Sequence, residues 1–129
     1  MKIFVDTLFA VALINERDQY HARAVECADL YEGQPLVVTD AVLLEIGNAL
    51  ARRYKLEAVE AIEGFLTAEN VEVVRLTQEL FERAFALYKA YRDKEWGMVD
   101  CISSVVMQEM GITDALTSIN ISSRLDPAF

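Results

Sequence analysis

Three acids in this chain stand where an ionised carboxylate needs a reason. Asp6 ends the apolar, β-rich run Lys2-Ile3-Phe4-Val5, Glu45 lies between Leu43-Leu44 and Ile46, and Asp100 lies between Val99 and Cys101. Water stabilises a carboxylate, and an apolar setting withdraws that stabilisation unless a cation or several hydrogen-bond donors replace it. In open α/β sheets, ligands bind outside the carboxyl ends of the parallel strands, so an acid ending a first, central strand is placed for chemistry. A structural reading stands beside the functional one at each position. Asp6 can cap a helix that begins near Leu8, Glu45 can face solvent, and Asp100 can cap the helix that runs toward Met110.

The elements that must position these acids alternate in period. After the first strand, Leu8 to Asn15 reads as a short helix. Asp18 caps a second, which carries Tyr20, Ala24, Cys27, Ala28 and Tyr31 on one face and stops at Gly33. Gly33-Gln34-Pro35 is a turn, Leu36 to Thr39 a buried strand, and Asp40 caps a helix with Val42, Leu43, Ile46, Ala49 and Leu50 at helical spacing. A further helix over 56–68 points Val59, Ile62, Phe65 and Leu66 inward. Residues 71–76 read as a third strand, Thr77 as the cap of a long helix through Phe81, Phe85, Leu87 and Tyr91, and 97–110 as a helix closed by Gly111. Ala115-Leu116-Thr117 is a fourth strand. Strands separated by helices in this order predict an α/β fold, a three-layer sandwich whose central parallel sheet is covered on both faces.

Composition narrows the class. A chain of 129 residues is the size of one domain, here residues 1–129, and can bury a core without disulfides or metal. With 53% hydrophobic and 26% charged residues and no long apolar run, nothing in it spans a membrane. The N-terminus has no signal-peptide pattern, and Cys27 and Cys101 lack metal or disulfide spacing, so a cytoplasmic protein with free buried thiols is expected. A net charge of −9 excludes a broad basic surface for nucleic acid, although carboxylate-bound cations can still meet phosphates. His21, the single histidine, has no partner and reads as a surface or capping residue.

Taken together, Val5-Asp6-Thr7, Thr39 to Glu45, and Trp96-Gly97-Met98-Val99-Asp100-Cys101-Ile102-Ser103 resemble the PIN-domain family in order and spacing. Tyr91 to Lys94 and the segment 107–117 extend the likeness over nearly the whole chain, and within the family it is similar to the VapC-type toxins of toxin-antitoxin pairs. The resemblance implies a small ribonuclease that hydrolyses RNA phosphodiester bonds and is held inactive by a cognate antitoxin protein. It implies that Asp6, Glu45 and Asp100 gather at one mouth as the catalytic, metal-binding acids for Mg²⁺ or Mn²⁺, with Asp6 and Asp100 as direct ligands and Glu45 completing the shell directly or through water. Thr7 would support Asp6. The apolar face around Tyr31, Ile62 and Phe65 offers itself to an antitoxin helix or to the second protomer of a homodimer.

The chain departs from the family pattern at two places. Leu8 follows the Asp-Thr pair where a polar residue is usual, and Ile119 stands where a fourth acid would follow Ala115-Leu116-Thr117-Ser118. Asn120 could supply a neutral oxygen there, whereas Asp114 and Asp126 are placed too far along the chain. A PIN-like binding module with weakened nuclease activity is therefore the alternative. Aspartyl-phosphate chemistry at Asp6 is a third reading, but haloacid-dehalogenase-like enzymes carry a second Asp at the position of Leu8. Tyr91 and Trp96 could stack on a base, or close the core at a helix edge.

Overall fold

The computed structural model describes residues 1–93 and 95–117 and, for the backbone alone, 121–122. Its elements run β1 (Ile3–Val5), α1 (Thr7–Ile14), α2 (His21–Leu30), β2 (Leu36–Thr39), α3 (Asp40–Leu50), α4 (Lys55–Thr67), β3 (Val71–Val74), α5 (Gln78–Ala90), α6 (Met98–Met110), β4 (Asp114–Leu116) and β5 (Ile121–Ser122). The sheet order is β3-β2-β1-β4-β5, with β1 to β4 parallel and β5 antiparallel at the edge. Only the two-residue β5 was not foreseen.

This order follows from burial. Ile3, Phe4 and Val5 are all buried, and so are Val37 and Val38, so β1 and β2 need helices on both faces. The chain leaves β1 outward through β2 to β3, then returns to the other side of β1 to form β4. The strand order therefore reverses at β1, and at such a switch point the flanking connections diverge and open a crevice beyond the strand ends. Asp6 is the residue that follows β1, and its backbone N–H donates to Leu116 O at the end of β4 (3.1 Å).

Helix ends differ from the sequence reading in instructive ways. Thr39, not Asp40, caps α3: its Oγ1 accepts from Val42 N at 3.1 Å. Asp40 instead accepts from Leu76 N with both oxygens (3.0 and 3.1 Å), tying α3 to the segment after β3. Asp18 turns the chain into α2 by accepting from Tyr20 N (2.8 Å) without being its cap residue. Thr77 caps α5 as expected. Gly111 ends α6 at φ +66, and Ile112 N reaches back to Met107 O at 2.9 Å, a closure that favours a residue without Cβ.

Two helices present different faces from those expected. On α5, Leu80 and Ala84 are buried while Phe81, Phe85 and Tyr88 are 47%, 44% and 44% exposed. On α4, Ala58 is buried and Ile62 and Phe65 pack on the core, whereas Val59 and Leu66 are exposed. In both, the more hydrophobic residue of an adjacent pair faces out. The helix axis, set by small residues such as Ala58 and Ala84 that allow close approach to the neighbouring elements, decides which face is inner.

Candidate functional site

Asp6 enters the crevice at the start of α1 in extended conformation, φ −87 and ψ 153, with no capping hydrogen bond from its side chain. Asp6 thus occupies the N-cap position without a capping hydrogen bond of full geometry, although the amides of Thr7 and Leu8 still favour its charged form. Its carboxyl is pushed up to about 6. Burial is the largest cause, the negative charge of Asp100 the second, and Glu45 adds more weakly, against a lowering pull from the backbone amides of Thr7 and Leu8.

Asp100 comes from the first turn of α6, at the carboxyl end of the neighbouring strands. Its Oδ2 accepts from Gly97 N at 3.0 Å, closing the helix start, so the capping role is real. It does not exhaust the residue: the side chain is exposed, and its charge acts on Asp6. The same charge, after burial, raises the thiol of Cys101.

Glu45 sits on α3 between buried Val42 and Ile46, half-buried rather than solvent-facing. Thr7 Oγ1 donates to Glu45 Oε1 at 2.6 Å. A short bond to a charged acceptor is among the stronger kinds and fixes the rotamer of both partners. Thr7 therefore serves both acids: its hydroxyl positions Glu45, while its backbone amide favours the charged form of Asp6.

Three elements thus supply the three acids, and Asp6 feels the charge of Asp100 and, more weakly, of Glu45. They do not close into a cage: among the described residues, no three His, Cys, Asp or Glu side chains stand close enough together to hold one ion. Asp114, by contrast, pairs in register with Ile3, at the opposite end of the strands from Asp6. Ile119, Asn120 and Asp126 lie outside the described residues.

This donor set fits a small, hard divalent cation. Carboxylate oxygens are the ligands such ions prefer, and Mg²⁺ retains several waters and takes only one or two carboxylates directly. An acid destabilised by two like charges gains most from a cation beside it. A loose arrangement leaves space for the water shell that a closed cage would exclude.

A PIN-domain family model matches residues 3–118, which takes in Asp6, Glu45 and Asp100. The chain belongs to the PIN-domain family. Seven chains of solved structure match this PIN domain. One of them, the sarcin-ricin loop cleaving toxin VapC20 of Mycobacterium tuberculosis, is 30% identical, with a TM-score of 0.80 over 89% of this chain and 88% of that one. No curated protein sequence matches. In the PIN domain, His21 Nδ1 lies 2.9 Å from Ala12 O, joining α2 to α1 outside the site, and both cysteines are free and buried.

Sequence reasoning missed two parts of the surroundings. One is the Thr7–Glu45 bond, for which a hydroxyl immediately after the first acid was the available signal. The other is a group of aromatic and basic residues on and after α5 beside Gly97, since helical spacing alone did not show which face of α5 lies outward.

Proposed function

We propose that this PIN domain, a single domain over residues 1–129, is a divalent-metal-dependent endoribonuclease and the toxin of a toxin-antitoxin pair. The observation that carries the reading is Asp6: a carboxyl at the sheet's switch point whose charge is opposed by burial and by Asp100 and Glu45 together. The similar toxin cleaves the sarcin-ricin loop, which supports RNA as the substrate.

When bound, Mg²⁺ or Mn²⁺ would polarise the phosphodiester and make an attacking water more acidic. Asp6 and Asp100 would hold the ion. Glu45, anchored through one oxygen by Thr7, would offer the other to the ion or to a water. The rigid start of α6, closed by Asp100 on Gly97, keeps that acid in place while substrate enters.

An apolar groove of about 390 Å³ between α1, α2 and α4 reaches Phe9, Leu13, Tyr31 and Phe65 and supports an antitoxin helix as partner. The same face, around Tyr31 and Phe65, is the one a second protomer would cover in a homodimer. Free Cys27 and Cys101 suit a cytoplasmic setting, and among the described residues no helix is long and apolar enough to cross a membrane.

The alternative, a PIN-like binding module, is favoured by the open spacing of the acids and by Ile119 in place of a fourth one. RNA cleavage separates the two. We expect cleavage in Mn²⁺ or Mg²⁺, none in EDTA, and a loss of about a hundredfold or more in Asp100→Asn. A purified, folded protein that leaves RNA intact at millimolar Mn²⁺ contradicts the nuclease and favours the module.

A further inference from the structure

Beside Asp100 opens a cavity of about 580 Å³, within the range of small-ligand sites, about 300–1,000 Å³. Tyr91 and Trp96 form one part of its lining, with ring centroids 5.5 Å apart and planes tilted by 53°. Phe85 and Tyr88, on the exposed face of α5, form another, 6.4 Å apart and nearly parallel at 21°. Two cations and one acid stand with them: Lys89 Nζ lies 4.9 Å over the Phe85 ring, Arg92 follows Tyr91, and Glu95 precedes Trp96.

The cavity is linked to Asp100 through one residue. Gly97 lines it, and the backbone N–H of Gly97 is held by Asp100 Oδ2. A Cβ at Gly97 would stand 3.8 Å from that same oxygen. An occupant that reaches Gly97 therefore lies one hydrogen bond from Asp100.

Resting on the nuclease reading, we propose that this cavity is a base-binding subsite, which takes one unpaired base of single-stranded RNA next to the phosphate to be cut. Aromatic faces stack on any base, and Lys89 and Arg92 complement the adjoining phosphates in a chain whose net charge of −9 otherwise repels them. A paired base is already stacked and cannot enter, so the subsite selects unpaired positions such as loops. A protein side chain would find the same rings but would not need two cations beside a carboxylate mouth.

Trp96 is the single tryptophan, so its emission reports on the cavity directly. The test uses the full chain carrying Asp6→Asn to prevent cleavage, a single-stranded RNA hexamer, and the same hexamer made abasic at one position at a time. Trp96 emission should change saturably with the intact hexamer, and one abasic position should weaken binding about tenfold or more. Tyr88→Ala and Arg92→Ala, both on exposed surface, should weaken it similarly while leaving the melting temperature near that of the parent. In the cleaving protein they should raise KM more than they lower kcat.

An unresponsive Trp96, or equal binding of every abasic hexamer, overturns the subsite. If RNA is nevertheless cleaved in Mn²⁺, the nuclease reading stands without it. A saturable, base-dependent response in a protein that never cleaves RNA keeps the subsite and overturns the nuclease.

Discussion

Asp6 is ionised at neutral pH against both its burial and its neighbours, and this has a consequence for stability. A group whose native pKa is raised, from 3.8 to about 6, binds more protons folded than unfolded across that interval. Stability therefore falls as pH rises from about 4 through about 6 and stays lower above it. Asp6→Asn removes this fall. In metal-free buffer the variant should be more stable than the parent at pH 7, by on the order of 2–3 kcal/mol, and the two should converge below about pH 4. Urea unfolding across the pH range measures it. A variant less stable than the parent at pH 7 would mean that Asp6 is held by donors rather than strained by charge. Such strain is the mark of a site kept for function at the expense of stability.

At the scale of elements, the existence and order of strands and helices were legible because period and burial agree in β1, β2, α3 and α6. Faces were less legible. Phe81 and Phe85 mark α5 as a helix by their spacing but not its inner face, which is formed by Leu80 and Ala84 on a helix packed against α6. The short β5 carries too few residues for any pattern to reveal it. In the site, the acids were visible as charge in apolar surroundings, but the donor that fixes Glu45 was not, since a hydroxyl's partner 38 residues away leaves no local trace. Caps were read one residue late at α3, where Thr39 and Asp40 both have cap chemistry and only geometry separates them. Thr39→Ala should lower stability by about 1 kcal/mol with an unchanged denaturant slope. Asp40→Ala should act separately, by releasing Leu76 N. An unaltered denaturation midpoint in Thr39→Ala would show that the cap contributes nothing measurable.

At the scale of the whole molecule, the charge of −9 implies that RNA is not gathered by a broad field. Binding must rest on a few cations and on stacking, so it should depend only weakly on salt. With phosphate contacts confined to Lys89 and Arg92, the slope of log K against log salt for single-stranded RNA should be about −1.4. A slope several times steeper would place the RNA on other cations. The central claim, however, is that elements far apart in sequence bring Asp6, Glu45 and Asp100 to one cation. Calorimetric titration of Mn²⁺ into the parent and into Asp6→Asn, Asp100→Asn and Glu45→Gln tests this directly. The account predicts saturable binding by the parent and a loss of affinity of about tenfold or more in every variant, larger for the two aspartates than for Glu45. Parent-like Mn²⁺ affinity in Asp6→Asn, or no binding by the parent at millimolar Mn²⁺, would contradict it.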